Sequence, residues 1–151
     1  MGAYAMADIK QKGMSNWSGD LQTGTGTMSV GSGLVENLPL TFASRFQGKE
    51  GSNPEELIGA AHAGCYNMVV AKVLAAGGHP PEELETTATV TLSEVEGGFK
   101  VSAIALQTRG GGEGIDEETL RSAAETAKDN CPISQLLKPG LDSLTVEVEL
   151  I

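Results

Sequence analysis

Residues 53–76 constrain the fold of this chain more than any other stretch, because they read as one long helix with a sharp start and a sharp stop. Asn53 is a good N-cap and Pro54 suits the first helical position, while Glu55 and Glu56 favour the positive end of the helix dipole. Gly77-Gly78-His79-Pro80-Pro81 then ends the helix. Its middle is crowded with small residues, Gly59, Ala60, Ala61, Ala63 and Gly64. Small residues let another backbone come close, so the helix is expected to be central and packed against a second helix.

The rest of the chain reads as strands and shorter helices around it. Residues 15–50 are rich in Gly, Thr and Ser and predict short antiparallel strands, with turns at Gly24, Gly26, Gly31 and Gly33. Residues 85–95 alternate through Ala88, Val90 and Leu92, and residues 99–108 through Phe99, Val101, Ala103 and Ala105, with Gly97-Gly98 as a two-residue hairpin turn. Helices are expected over 116–128 and 132–137, and Leu144, Val146, Val148 and Leu150 mark a last strand. This order predicts one α+β domain over residues 6–151. Residues 1–5, ahead of the second methionine Met6, are read as a leader outside it.

A chain of 151 residues is long enough to bury a core. It holds no unbroken run of about 18 apolar residues and no secretory leader, so no membrane partner and a cytoplasmic location are expected. Ten basic residues against twenty acidic ones give a formal charge of −10. Nucleic acid is disfavoured as a partner, since phosphates need a basic stripe.

The chain has two cysteines, Cys65 and Cys131. Two thiols can be a structural disulfide, half a metal site, two unrelated core residues or a working redox pair. Cytosolic thiols stay reduced unless they do redox work, which counts against a structural disulfide. Read as helical, Cys65 shares a face with Ile58, Ala61, Met68 and Val69, an apolar stripe that suits an inert buried cysteine. Cys131 precedes Pro132 at a helix start, where unpaired N–H groups favour a thiolate.

Together the two settings resemble one family. Arg45-Phe46-Gln47-Gly48 through to Cys65, and Asn130-Cys131-Pro132-Ile133-Ser134, are similar to the osmotically inducible protein C and organic hydroperoxide resistance family. So are Trp17-Ser18-Gly19-Asp20, the helix start Asn53-Pro54-Glu55-Glu56-Leu57, the 66-position separation of the cysteines and the last strand. His62-Ala63-Gly64-Cys65 looks more like the osmotically inducible branch. The resemblance implies a two-cysteine thiol peroxidase, an antioxidant enzyme of the stress response, on an intertwined α+β homodimer with two central helices flanked by antiparallel sheets. It matches Cys65 to the peroxidatic cysteine, Cys131 to the resolving one, Arg45 to the arginine that stabilises the thiolate and Glu55 to its paired glutamate. It points to organic hydroperoxides as substrates, with hydrogen peroxide a poorer one. The reductant it implies is a dithiol of the lipoyl-bearing kind. No cofactor and no metal are expected.

Elementary chemistry supports those roles. The thiolate is the attacking species, so an ordinary thiol pKa of about 8.5 must fall for work at neutral pH. Arg45 is permanently charged and offers a fork of donors. Glu55 and Cys65, ten residues apart on one helix, stand about 15 Å apart along its axis. An antiparallel copy of the helix in a two-fold dimer would bring Glu55 of one chain to Cys65 of the other, so composite sites at a dimer interface are expected. His62, one helical turn from Cys65, is expected to pack or hydrogen-bond; neither a Cys–His hydrolase pair nor a zinc site is favoured. The glycine pairs lack a following Lys-Ser/Thr and are turns, with no phosphate loop. The competing reading is a redox-sensing or ligand-binding homodimer of the same fold that lacks fast turnover.

Overall fold

The computed structural model describes residues 7–151; the expected leader, residues 1–5, lies outside them. Two compact units divide between Pro54 and Glu55.

The first unit is an antiparallel sheet of β1 (Gly13–Ser18), β2 (Thr25–Val30) and β3 (Leu38–Thr41) in that order. Asp20 fixes the β1–β2 turn: its carboxylate accepts the backbone N–H groups of Thr23 (2.8 Å) and Gln22 (2.9 Å) and the Thr23 hydroxyl (2.7 Å). These bonds, that from the Thr23 backbone foremost, hold the Asp20 carboxyl below its usual pKa. Gly26 is no turn residue: it lies inside β2, where an added Cβ would meet the Trp17 ring at 2.8 Å. The sequence reading also missed a short helix, α1 (Phe42–Phe46), which follows β3 directly. Its signal is purely local: the Thr41 side chain accepts the Ser44 N–H (3.0 Å) and the Ser44 hydroxyl accepts the Thr41 N–H (2.9 Å), a capping box written with serine.

The second unit opens with α2 (Pro54–Ala76), which starts and stops where the sequence predicts. Gly78 adopts a left-handed φ of 87°, and the His79 N–H reaches the Leu74 carbonyl (3.0 Å) while the Gly78 N–H reaches that of Ala75 (3.0 Å). This is a Schellman stop. The buried face of α2 carries Glu55, Gly59, His62, Tyr66, Val70 and Leu74. Sequence periodicity pointed elsewhere: Ala61 and Met68, expected beside Cys65 on an apolar stripe, are exposed, Met68 to 76%. A helix that is apolar all round has no moment to announce its inner face. The sheet chooses it instead, since an added Cβ on Gly59 would sit 3.0 Å from the carbonyl of Ala88, in the strand that follows the helix. The small residue at Gly59 therefore serves a helix–sheet contact, whereas Gly64 faces open space. By length and composition α2 alone among the described helices is long and apolar enough to cross a membrane.

β4 (Glu83–Val95) and β5 (Gly98–Gly111) form an antiparallel hairpin, and β6 (Ser143–Leu150) pairs parallel with β5. Val95 pairs with Gly98, so the two-residue turn is Glu96-Gly97, one position earlier than expected. A β-bulge opposite Thr91 and Leu92 leaves Ser102 as the extra residue between Val101 and Ala103. The bulge shifts the phase of β5, so Ile104, Leu106 and Thr108, rather than Ala103 and Ala105, enter the core. The parallel crossover from β5 to β6 runs through α3 (Glu117–Asn130), α4 (Pro132–Leu137) and a 3-10 turn (Lys138–Gly140). α3 begins at Asp116, whose side chain accepts the Thr119 N–H at 2.8 Å. Tyr66, Val70 and Leu74 of α2 pack with Ile104 and Leu106 of β5, Leu120, Ala123, Ala124 and Ala127 of α3, and Cys131. The architecture is α+β, as the sequence predicts.

Candidate active site

Cys131 is the hinge between two helices. It closes α3, its N–H bonding to the Ala127 carbonyl (2.8 Å), and opens α4, its carbonyl accepting the Gln135 N–H (2.9 Å). Pro132 at the first position of α4 ends α3 and stiffens the joint. Cys131 is thus fixed from both sides and fully buried, at 0% exposure.

Cys65 sits at the border of the buried face of α2, partly exposed. The fold brings the two thiols together from 66 residues apart: Cys131 Sγ donates to Cys65 Sγ at 3.2 Å, with both cysteines free. Burial pushes the Cys65 thiol above its ordinary pKa, a bond from the backbone N–H of Ile133 pulls it back down, and the neighbouring Cys131 raises it again. Two sulfurs this close cannot both ionise without repulsion. The net effect of this setting is to disfavour the Cys65 thiolate, an effect that a nearby cation would offset.

Arg45 lies on α1 of the first unit, exposed, with its guanidinium 5.2 Å from the centre of the Phe46 ring. Beside it is an apolar pocket of about 320 Å³ lined by Trp17, Leu21, Leu40, Thr41, Phe42 and Phe46. Sequence reasoning marked Arg45 but not this pocket, whose residues are gathered from β1, the β1–β2 turn, β3 and α1. Glu55 is buried in the first turn of α2. Because α2 is unbroken from Pro54, Glu55 stands about 15 Å along the axis from the Cys65 of its own chain.

Sequence reasoning left His62 as a packing or hydrogen-bonding residue, and it is fully buried with Nε2 2.6 Å from the Ser134 Oγ. Burial holds its imidazole below the ordinary histidine pKa, hence neutral. Ser134, also fully buried, was missed as a partner, because nothing local links residues 72 positions apart. Among the described residues no cluster of three or more His, Cys, Asp or Glu side chains is placed to hold a metal ion.

The family model described as OsmC-like protein matches residues 46–149. The peroxiredoxin OsmC of Escherichia coli is 44% identical over 130 residues, covering 86% of this chain and 91% of its own. The organic hydroperoxide resistance protein OhrA of Bacillus subtilis is 30% identical over 102 residues, covering 66% and 69%. Among solved structures, the organic hydroperoxide resistance protein OhrB of Bacillus subtilis superposes with a TM-score of 0.71 at 23% identity, covering 93% of this chain and 98% of that one. At that identity the likeness speaks for the fold. The chain therefore belongs to the OsmC-like protein family, on the OsmC side of its OsmC and organic hydroperoxide resistance members.

Proposed function

We propose that this protein is a thiol-dependent peroxidase that reduces organic hydroperoxides, and hydrogen peroxide less well, through a Cys65–Cys131 disulfide. The observation that carries this reading is the 3.2 Å approach of the two sulfurs, with one partly exposed and the other buried behind it. Names of relatives add support: one is a peroxiredoxin and another an organic hydroperoxide resistance protein.

In the first step the Cys65 thiolate attacks the distal peroxide oxygen. An S–O bond forms, the O–O bond breaks, and the alkoxide leaves and is protonated to an alcohol. Cys65 is oxidised to the sulfenic acid. In the second step Cys131 attacks that sulfur: the S–S bond forms, the S–O bond breaks, and hydroxide leaves with the Cys131 proton as water. An external dithiol, lipoyl-bearing in our reading, then exchanges with the disulfide and restores both thiols. Arg45 supplies the cation that the Cys65 environment calls for, and Glu55 holds the guanidinium.

The working unit in this reading is a homodimer. Ala60, Ala61, Gly64 and Met68 leave an exposed, mostly apolar strip on α2, and Gly64 has open space where a second backbone fits. A two-fold pairing of α2 supplies Glu55 to the opposite Cys65, in one domain spanning 6–151. The reducing cytoplasm is where a dithiol pool resets the pair.

The raised Cys65 pKa favours one competing reading, a sensor or ligand-binding dimer that oxidises slowly. Loss of cumene hydroperoxide with excess dithiol decides between them. Catalytic turnover is expected, abolished by Cys65→Ser. In Cys131→Ser a single oxidation should precede a stall. One equivalent consumed by the native protein, with no further turnover, would establish the slow reading instead.

A further inference from the structure

The two cysteines are not the only groups that α2 and α4 bring face to face. His62 lies one helical turn before Cys65, and Ser134 lies three residues after Cys131. The two pairs make parallel rungs between the same elements: Cys65 to Cys131 at 3.2 Å, and His62 Nε2 to Ser134 Oγ at 2.6 Å. The second rung is entirely buried at both ends.

We infer that His62 and Ser134 are positioning residues whose hydrogen bond seats α4 on α2 and so sets the approach of Cys131 to Cys65. This deepens the peroxidase reading and rests on it for its place in the catalytic cycle.

α4 has six residues, too few to hold its own position by helix formation. Its polar side-chain ties run back to α3: the Gln135 side chain donates to the Asp129 carbonyl (3.2 Å), and Lys138, at the end of α4, pairs with Asp129 (3.3 Å). These fix α4 to the crossover but not to α2. Besides the sulfurs, the Ile133 N–H and the apolar packing of Ile133 and Leu137 on the shared core, the His62–Ser134 bond is, among the described residues, the side-chain hydrogen bond that joins α4 to the helix bearing the attacking thiol.

The imidazole depends on Ser134 in turn. Its Nδ1 is buried without a hydrogen-bond partner, so Ser134 alone orients the ring through a polar contact. An orphaned buried donor is rarer than an orphaned acceptor. The favoured tautomer therefore carries its proton on Nε2, donates it to Ser134 Oγ and leaves a lone pair at Nδ1. Removing the hydroxyl leaves that N–H buried and unpaired, which the ring relieves by turning, and α4 loses its seat.

Ring closure needs the sulfurs aligned as well as near, and misplacement of about 1 Å carries large penalties. The predicted consequence concerns the Cys65–Cys131 couple itself, whatever the oxidant. The purified full-length chain, wild type and variants, is equilibrated in oxidised and reduced dithiothreitol mixtures, and the fraction of closed disulfide is read by thiol alkylation and mass. Ser134→Ala should lower the equilibrium constant for closure about tenfold, which is about 30 mV for this two-electron couple. Ser134→Thr, which keeps the hydroxyl, should stay within threefold of wild type. His62→Leu removes the same bond from α2 and should behave like Ser134→Ala, which covers the case where one variant does not fold.

A couple unchanged within twofold in the folded Ser134→Ala or His62→Leu variant, or a Thr variant as perturbed as the Ala one, would overturn the inference. The assay contains no peroxide. A wild type that closes its disulfide but consumes no hydroperoxide would sink the peroxidase reading and leave this one standing.

Discussion

Cys131 should react with external reagents far more slowly than Cys65, and the structure sets the size of the gap. Cys131 is fully buried at the α3–α4 joint, whereas Cys65 is partly exposed. Reaching the Cys131 sulfur requires breaking its backbone bonds to Ala127 (2.8 Å) and Gln135 (2.9 Å). Each contributes about 1 kcal/mol. Exposing the side chain adds about 1–2 kcal/mol of lost apolar burial. A local opening of about 3–4 kcal/mol corresponds to a factor of roughly 10² to 10³. The assay alkylates Cys65→Ser and Cys131→Ser with iodoacetamide and follows mass, each rate corrected for thiolate fraction from that variant's own pH profile. Cys131 is expected to label about 10² to 10³ times more slowly. A Cys131 that labels within tenfold of Cys65 would refute the reasoning. The chemical corollary is directional: an external dithiol attacks the Cys65 sulfur, Cys131 is the leaving thiol, and a trapped mixed disulfide sits on Cys65.

Three further outcomes are expected. Arg45→Met should slow hydroperoxide reduction at pH 7 by about tenfold or more, one decade per pKa unit of lost thiolate stabilisation; the deficit should shrink above pH 9 in a stopped-flow pH series, and a pH-independent deficit would exclude a role in ionisation. Burial lowers the His62 pKa, so the unfolded chain takes up a proton near pH 6.5 that the folded chain refuses; stability from this group is complete above that pH and declines as pH falls through 6.5 toward the folded value, and in urea titrations His62→Gln should flatten this part of the profile. Met68→Asp places a charge on the exposed strip of α2 and should shift the proposed dimer toward monomer in light scattering, without disturbing secondary structure.

Much of the fold was legible because its signals are local. Pro54, the Gly77-Gly78 stop and Pro132 fix the ends of α2 and the start of α4 through caps and backbone restrictions. What was illegible depends on partners. The bulge at Thr91 and Leu92 exists only once β4 and β5 pair, and it reverses which residues of β5 are inside. The inner face of α2 is chosen by the sheet it rests on. For the site, the cysteines, Arg45 and Glu55 were marked by their settings and by family likeness. The apolar pocket on the first unit and the partner of His62 needed the tertiary fold, which alone brings their residues together.

The parallel pairing of β6 with β5 also governs when the thiols can meet. Cys131 lies in the crossover that must be threaded before β6 docks, and non-local parallel pairing of this kind is slow to form. Until then the cysteines are the ends of a loose segment, 66 positions apart, whose closure is opposed by chain entropy. The Cys65–Cys131 pair is therefore expected to assemble late. A newly made chain passes through a phase in which its thiols react one at a time, and disulfide formation after a brief pulse of oxidant during refolding is a clock for the docking of the last strand.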